Sequence, residues 1–160
     1  IATASSPQKR ELALELGADV AIDSQAQDMT AAIREANGGK RVDVILDMTG
    51  GRITDESVNA LAPFGRLGFY GQASREAPKP IAPTHLLVHS TTIAGMWLPH
   101  AFRLPGNVVG QAMSELFELA IDDQLRVVAG GEYALADARL AHEALRSRGT
   151  TGKLVLTPQL

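Results

Sequence analysis

The chain has 160 residues with fifteen basic and eighteen acidic side chains, a net charge of −3 and no long run of either sign. That balance excludes the electrostatic footprint of a nucleic-acid or anionic-membrane binder, and the length suits one domain with a substantial core. With no cysteine, disulfides, thiolate metal sites and cysteine nucleophiles are excluded. No apolar run has membrane-spanning length and no stretch reads as a signal peptide, so the expected location is cytoplasmic.

Residues 1–4 read as the end of a buried strand that turns directly into a helix. Ser6 is the expected N-cap, Pro7 the first helical residue and Gly17 the stop, with Leu12, Ala13 and Leu16 at helical spacing between them. In a doubly wound α/β sheet this is the second strand, whose C-terminal turn faces the adenosine ribose of a dinucleotide. A fold that prefers NAD puts a carboxylate there. Here Ala4 takes that place, followed by Ser5, Ser6, Lys9 and Arg10. Hydroxyls, a helix N-terminus and cations suit a dianionic phosphate, and the same residues also suit a plain capped surface helix.

Residues 18–23 form the next expected strand, entering a turn at Asp23 and Ser24. Met29, Ala32, Ile33 and Ala36 then mark one helix face, closed by Asn37-Gly38-Gly39. Residues 42–47 are apolar enough for a central strand buried on both faces, and they run into the tight turn Thr49-Gly50-Gly51. The following helix is expected to turn Val58, Leu61 and Ala62 inward. Pro63-Phe64-Gly65 makes a turn into a strand over 66–71. Glycines 65, 68 and 71 predict close backbone approach, to a neighbouring element or to a ligand.

Residues 72–84 read as loop, 85–89 as a helical turn, 91–98 as a strand, and the stretch between Pro99 and Pro105 as loop again. Val109, Ala112, Met113, Leu116, Phe117 and Ala120 give an amphipathic helix over 106–121. A strand over 125–133, a helix over 136–147 with Ala138, Ala141 and Leu145 inward, and a strand over 153–156 complete the chain. Strands alternating with helices predict an α/β fold, a Rossmann-type doubly wound parallel sheet. His85 and His89 stand four apart without the carboxylate of a metalloprotease motif, so no metal site is expected.

Several segments, in order, carry a more specific likeness. They are Thr3-Ala4-Ser5-Ser6-Pro7-Gln8-Lys9, Leu16-Gly17-Ala18-Asp19, Val42-Asp43-Val44-Ile45-Leu46-Asp47, Gly65-Arg66-Leu67, and Ala141-His142-Glu143 through Arg148-Gly149-Thr150-Thr151-Gly152-Lys153-Leu154-Val155-Leu156. Together they resemble the medium-chain dehydrogenase/reductase superfamily, in its zinc-free quinone oxidoreductase (zeta-crystallin-like) branch. The resemblance covers nearly the whole chain and implies the C-terminal cofactor-binding part of such an enzyme, with NADP(H) as cofactor. It implies that Ser5, Ser6 and Lys9 hold the 2′-phosphate and that Ser24 lines the adenosine side. Thr49 and Gly50 match the turn beside the pyrophosphate and nicotinamide ribose. Phe69, Tyr70 and Gly71 match the strand end that meets the nicotinamide, Met96 and Trp97 the next such end, and Lys153 a cofactor-proximal position. A homodimer joined through an edge strand running from Ile93 to Leu98 is implied as well, with no nucleic-acid or membrane partner.

The family's first strand and glycine-rich loop have no counterpart here, nor has its N-terminal barrel-like substrate domain. Residues 1–160 therefore read as a partial dinucleotide-binding domain, a piece of a longer protein. In the strand order 3-2-1-4-5-6 the missing strand is central, so the strands beside it should show unpaired edges unless another segment fills the gap. The function implied is the NADPH-binding portion of an oxidoreductase that passes hydride to a small electrophilic acceptor, a quinone or an α,β-unsaturated carbonyl. No catalytic residue is assigned. Gly95-Met96-Trp97-Leu98 resembles a strand end of enoyl-thioester reductases, which is one alternative. A zinc-type alcohol dehydrogenase fragment and a non-catalytic nucleotide-binding or oligomerisation module are the others.

Overall fold

The computed structural model describes residues 1–158, in two compact units, one over Ile1–Val108 and one that begins at Val109. The first unit alternates strand and helix: β1 (Ala2–Ala4), α1 (Pro7–Glu15), β2 (Ala21–Asp23), α2 (Met29–Ala36), β3 (Val42–Asp47), α3 (Arg52–Ala60), β4 (Leu61–Phe69), α4 (Pro83–His89), β5 (Thr92–Gly95) and the short α5 (Leu98–Ala101). The expected caps form. Ser6 Oγ accepts from the Lys9 N–H at 3.3 Å with Pro7 opening the helix, and Gly17 sits at φ 101° just past its end. Asp28 Oδ1 accepts from the Ala31 N–H at 2.8 Å and starts α2.

All pairing is parallel. β1 pairs with β2, and β3, β4 and β5 form a separate sheet in that order. Two apolar clusters hold the unit together. Met29, Ile33 and Ala60 pack with Ile22, Val42, Ile45 and Ile53, while Val58, Leu61 and Leu67 pack with Ile45, Phe69 and Ile93. Ile45 belongs to both, so β3 joins them. Burying a side chain such as Met29, which is fully enclosed, stabilises by about 1.5–3 kcal/mol.

The expected gap is present. Among the described residues, β1 and β3 are each paired on one side alone, and a cavity of about 690 Å³ is lined by Ile1, Ala2 and Thr3 and by Val44, Ile45 and Leu46. The expectation that β3 is buried on both faces is corrected: Val44 is 55 % and Leu46 74 % exposed. A parallel strand is buried on both faces only where both faces are covered.

Other boundaries also differ from the sequence reading. Leu61 is the first residue of β4 rather than part of the helix, because it pairs with Val42 and packs at 1 % exposure. The ladder then shifts, since β3 advances from Val42 to Val44 while β4 advances from Leu61 to Arg66. The excess residues bulge outward at Phe64, which has φ 65° and donates its N–H to Ser90 O at 2.7 Å. The strand expected over 91–98 stops at Gly95, and Leu98 opens α5, with Pro99 in its first turn, where a loop was expected.

The second unit holds α6 (Val108–Ile121), which opens at its boundary, and then β6 (Ala129–Ala134), a 3-10 turn (Leu135–Asp137), α7 (Ala138–Arg146) and β7 (Lys153–Thr157). β6 and β7 pair in parallel. A Cβ at Gly152 would lie 2.5 Å from Val128 O, so the strand entry requires glycine there. In α7 Ala141 is buried, but Leu145, expected inward, is 50 % exposed. No residue of α6 is buried, so its apolar stripe faces out rather than into a core. No described helix is long and apolar enough to cross a membrane.

Candidate functional site

The turn after β1 gathers the first set of candidate residues. Ser5 is exposed, and Ser6 and Lys9 are half-buried. The Ser6 hydroxyl accepts the cap bond and keeps its own proton to donate. Arg10 is engaged within the corner itself. Its Nη1 donates to Ala4 O at 3.1 Å and lies 3.5 Å from Asp23 Oδ1, so it laces the end of β1 to the end of β2. Ser24 joins the same corner, its N–H donating to Ala4 O at 3.1 Å. Ser5, Ser6, Lys9 and Ser24 are thus brought together, beside a position where Ala4 supplies no carboxylate.

The turn after β3 is fixed from several directions. Asp47, 3 % exposed, accepts from the N–H groups of Thr49 at 2.7 Å and Gly50 at 3.4 Å, and from Thr54 Oγ1 at 2.5 Å. Gly50 and Gly51 have φ 81° and 58°, which glycine adopts without strain. Arg52 donates to Ser24 O and to Ala26 O, each at 3.1 Å, and so ties the start of α3 to the turn after β2. Ser24 and the Thr49–Gly50 turn therefore share one end of the unit.

The segment that ends β4 lies against this turn. The Tyr70 N–H donates to Asp47 O at 3.0 Å, Ala73 to Met48 O at 3.0 Å and Ser74 to Thr49 O at 2.8 Å. A Cβ on Gly71 would stand 2.8 Å from Met48 O, so the close approach that this glycine serves is to the chain itself. A Cβ on Gly50 would likewise meet Gln72 Cγ at 2.9 Å. The Met96 N–H donates to Phe69 O at 2.9 Å, which sets the end of β5 beside that of β4. Met96 and Trp97 are 53 % and 67 % exposed, and Trp97 caps α5 instead of lying in a strand. Thr49 and Tyr70 also line the cavity between β1 and β3, so gap and site are continuous. Lys153 begins β7 in the second unit and is exposed there.

Sequence reasoning missed Asp47, Thr54 and Arg52. The one available signal was an aspartate closing an apolar strand immediately before Met-Thr-Gly-Gly. For a metal the donor set does not fit: among the described residues no three His, Cys, Asp or Glu side chains gather, and the sequence has no cysteine.

Parallel strands whose C-terminal ends carry Ser, Thr and Gly turns define a Rossmann-type α/β unit, the class built to receive a dinucleotide across its strand ends. Residues 16–156 match the model of the zinc-binding dehydrogenase family, and the chain belongs to that family. A quinone oxidoreductase of Pseudomonas aeruginosa is 32% identical over 99% of this chain and 48% of its own length. A 2-haloacrylate reductase of a Burkholderia species is 30% identical over 99% of this chain and 48% of its own. Among solved structures, a mycobacterial protein in complex with NADPH superposes with a TM-score of 0.83, at 34% identity, over 98% of this chain and 49% of that one. The chain spans about half the length of the curated relatives it matches. The resemblance to the medium-chain dehydrogenase/reductase quinone oxidoreductases is thereby borne out, as is the Rossmann-type fold.

Proposed function

We propose that this chain is the NADPH-binding portion of a reductase that transfers hydride to a quinone or an α,β-unsaturated carbonyl. The observation that carries the reading is the corner where β1 meets α1. Ala4 puts no carboxylate at the end of β1, the Asp23 carboxylate at the end of β2 is paired with Arg10, and Ser5, Ser6 and Lys9 lie at the helix N-terminus. The NADPH-bound structural neighbour supports the cofactor, and the quinone and haloacrylate reductases among the relatives support the class of acceptor. When bound, NADPH supplies the hydride; the task of this chain is to hold and aim it. In this reading Ser5, Ser6 and Lys9 hold the 2′-phosphate, and Ser24 lines the adenosine side. Thr49 and Gly50 lie along the pyrophosphate and ribose. Phe69, Tyr70, Gly71, Met96 and Trp97 border the nicotinamide. The protein acts in the cytoplasm and pairs with a second copy through the edge strand β5.

The test is Lys9→Ala in the full-length gene product. A lost charge-assisted phosphate contact is worth roughly 1.5–3 kcal/mol, so NADPH should bind about ten- to a hundredfold more weakly, with NADH little affected. Equal weakening of both cofactors would overturn the assignment. A second reading, an enoyl-thioester reductase, draws on Gly95-Met96-Trp97-Leu98 and on the activated alkene in the haloacrylate relative's name. Comparing turnover of 1,4-benzoquinone with that of crotonyl thioesters separates the two.

A further inference from the structure

Asp47 ends β3 inside the protein, at the point where the strand gives way to the Thr49–Gly50 turn. A carboxylate in that position is costly unless its lone pairs are filled, and three donors fill them. Oδ1 takes the Thr49 and Gly50 N–H groups, and Oδ2 takes the hydroxyl of Thr54, itself 2 % exposed in the first turns of α3. One side chain therefore pins the turn to the strand behind it and to the helix ahead of it. The carbonyls of Asp47, Met48 and Thr49 then accept from Tyr70, Ala73 and Ser74, which sets the segment after β4 in register with the same turn. Gly71 and Gly50 allow the two segments to approach this closely.

We propose that Asp47 is the positioning residue of the nucleotide site, holding the Thr49–Gly50 turn and, through it, the Tyr70–Gly71 strand end in the shape the cofactor meets. The inference rests on the nucleotide-binding reading above. Asp47 touches no ligand in this role; it acts through backbone that is already arranged before the ligand arrives. An asparagine can keep its amide oxygen on the Thr49 and Gly50 N–H groups and donate its N–H₂ to the Thr54 hydroxyl, but those bonds lose the carboxylate's charge and the Thr54 proton loses its acceptor. At least one bond of the set is lost or weakened.

The experiment uses the full-length gene product, with Asp47→Asn, Thr54→Val and Thr54→Ser. It reads the Kd for NADPH and NADH, kcat and KM with 1,4-benzoquinone, and hydrogen exchange at the Thr49 and Gly50 amides. Asp47→Asn should weaken both nucleotides by about tenfold, since the turn is common to both, with the loss in KM for the nucleotide rather than in kcat. Exchange at Thr49 and Gly50 should accelerate. Thr54→Val should show the same pattern at about threefold, and Thr54→Ser, which keeps the hydroxyl, should restore affinity. Faster exchange with unchanged nucleotide affinity would overturn the proposal, as would a loss in kcat alone. Should Asp47→Asn fail to fold, the Thr54 pair decides by the same readouts. Wild-type protein that binds neither nucleotide would overturn the function proposed above, and that is visible before any variant is made.

Discussion

Lys9 and Arg10 are adjacent cations that look alike in the sequence. The Arg10 guanidinium is engaged by Ala4 O and Asp23, so it holds two strand ends together. Arg10→Ala should lower stability by about 1–2 kcal/mol in urea unfolding, mostly through the half-buried bond to Ala4 O, since the pair with Asp23 is screened by solvent. NADPH and NADH should weaken together in that variant, unlike the selective effect of Lys9→Ala; a selective loss of NADPH would return Arg10 to the phosphate. At this scale the sequence was informative wherever the partners are near neighbours. The Ser6 cap, Pro7 and Gly17 all act within a turn of helix, and all are where the spacing put them. Arg10 and Asp47 were not legible, because what decides them is a carbonyl or carboxylate delivered by another strand, or a hydroxyl on the next helix.

Elements framed by strong local signals kept their bounds. β3 is Val42–Asp47 as expected, between a diglycine turn and Thr-Gly-Gly, and α2 is framed by Asp28 and Asn37-Gly38-Gly39. β4 moved because its start is fixed by pairing with Val42 across a bulge, which periodicity does not record. The apolar stripe of α6 was read correctly as a pattern, but a pattern does not say what covers it. The gap beside β3 gives the element scale its own prediction. Among the described residues β4 is bonded on both sides, whereas β3 has a partner on one side alone. In the 160-residue chain, amides of residues 42–48 should exchange markedly faster than those of 66–69, by mass-resolved hydrogen exchange. Equal protection of the two strands would mean that the gap is filled.

The molecule as a whole joins a family whose curated relatives here are about twice as long as this chain. The 160 residues contain candidate groups to hold a dinucleotide but no assigned group to stabilise the charge that develops on an acceptor oxygen. Produced as this chain alone, the protein should therefore reduce 1,4-benzoquinone with NADPH little above the uncatalysed rate; robust turnover would place catalytic groups within these residues. The central claim, recognition of a 2′-phosphate at the β1–α1 corner, needs neither the nicotinamide nor an acceptor. The direct measurement is calorimetric titration of the full-length gene product with adenosine 2′,5′-bisphosphate and with adenosine 5′-monophosphate. A phosphate held by Ser5, Ser6 and Lys9 predicts at least about tenfold tighter binding of the bisphosphate, a difference that Lys9→Ala erases. Equal affinities for the two ligands in the unaltered protein would contradict it.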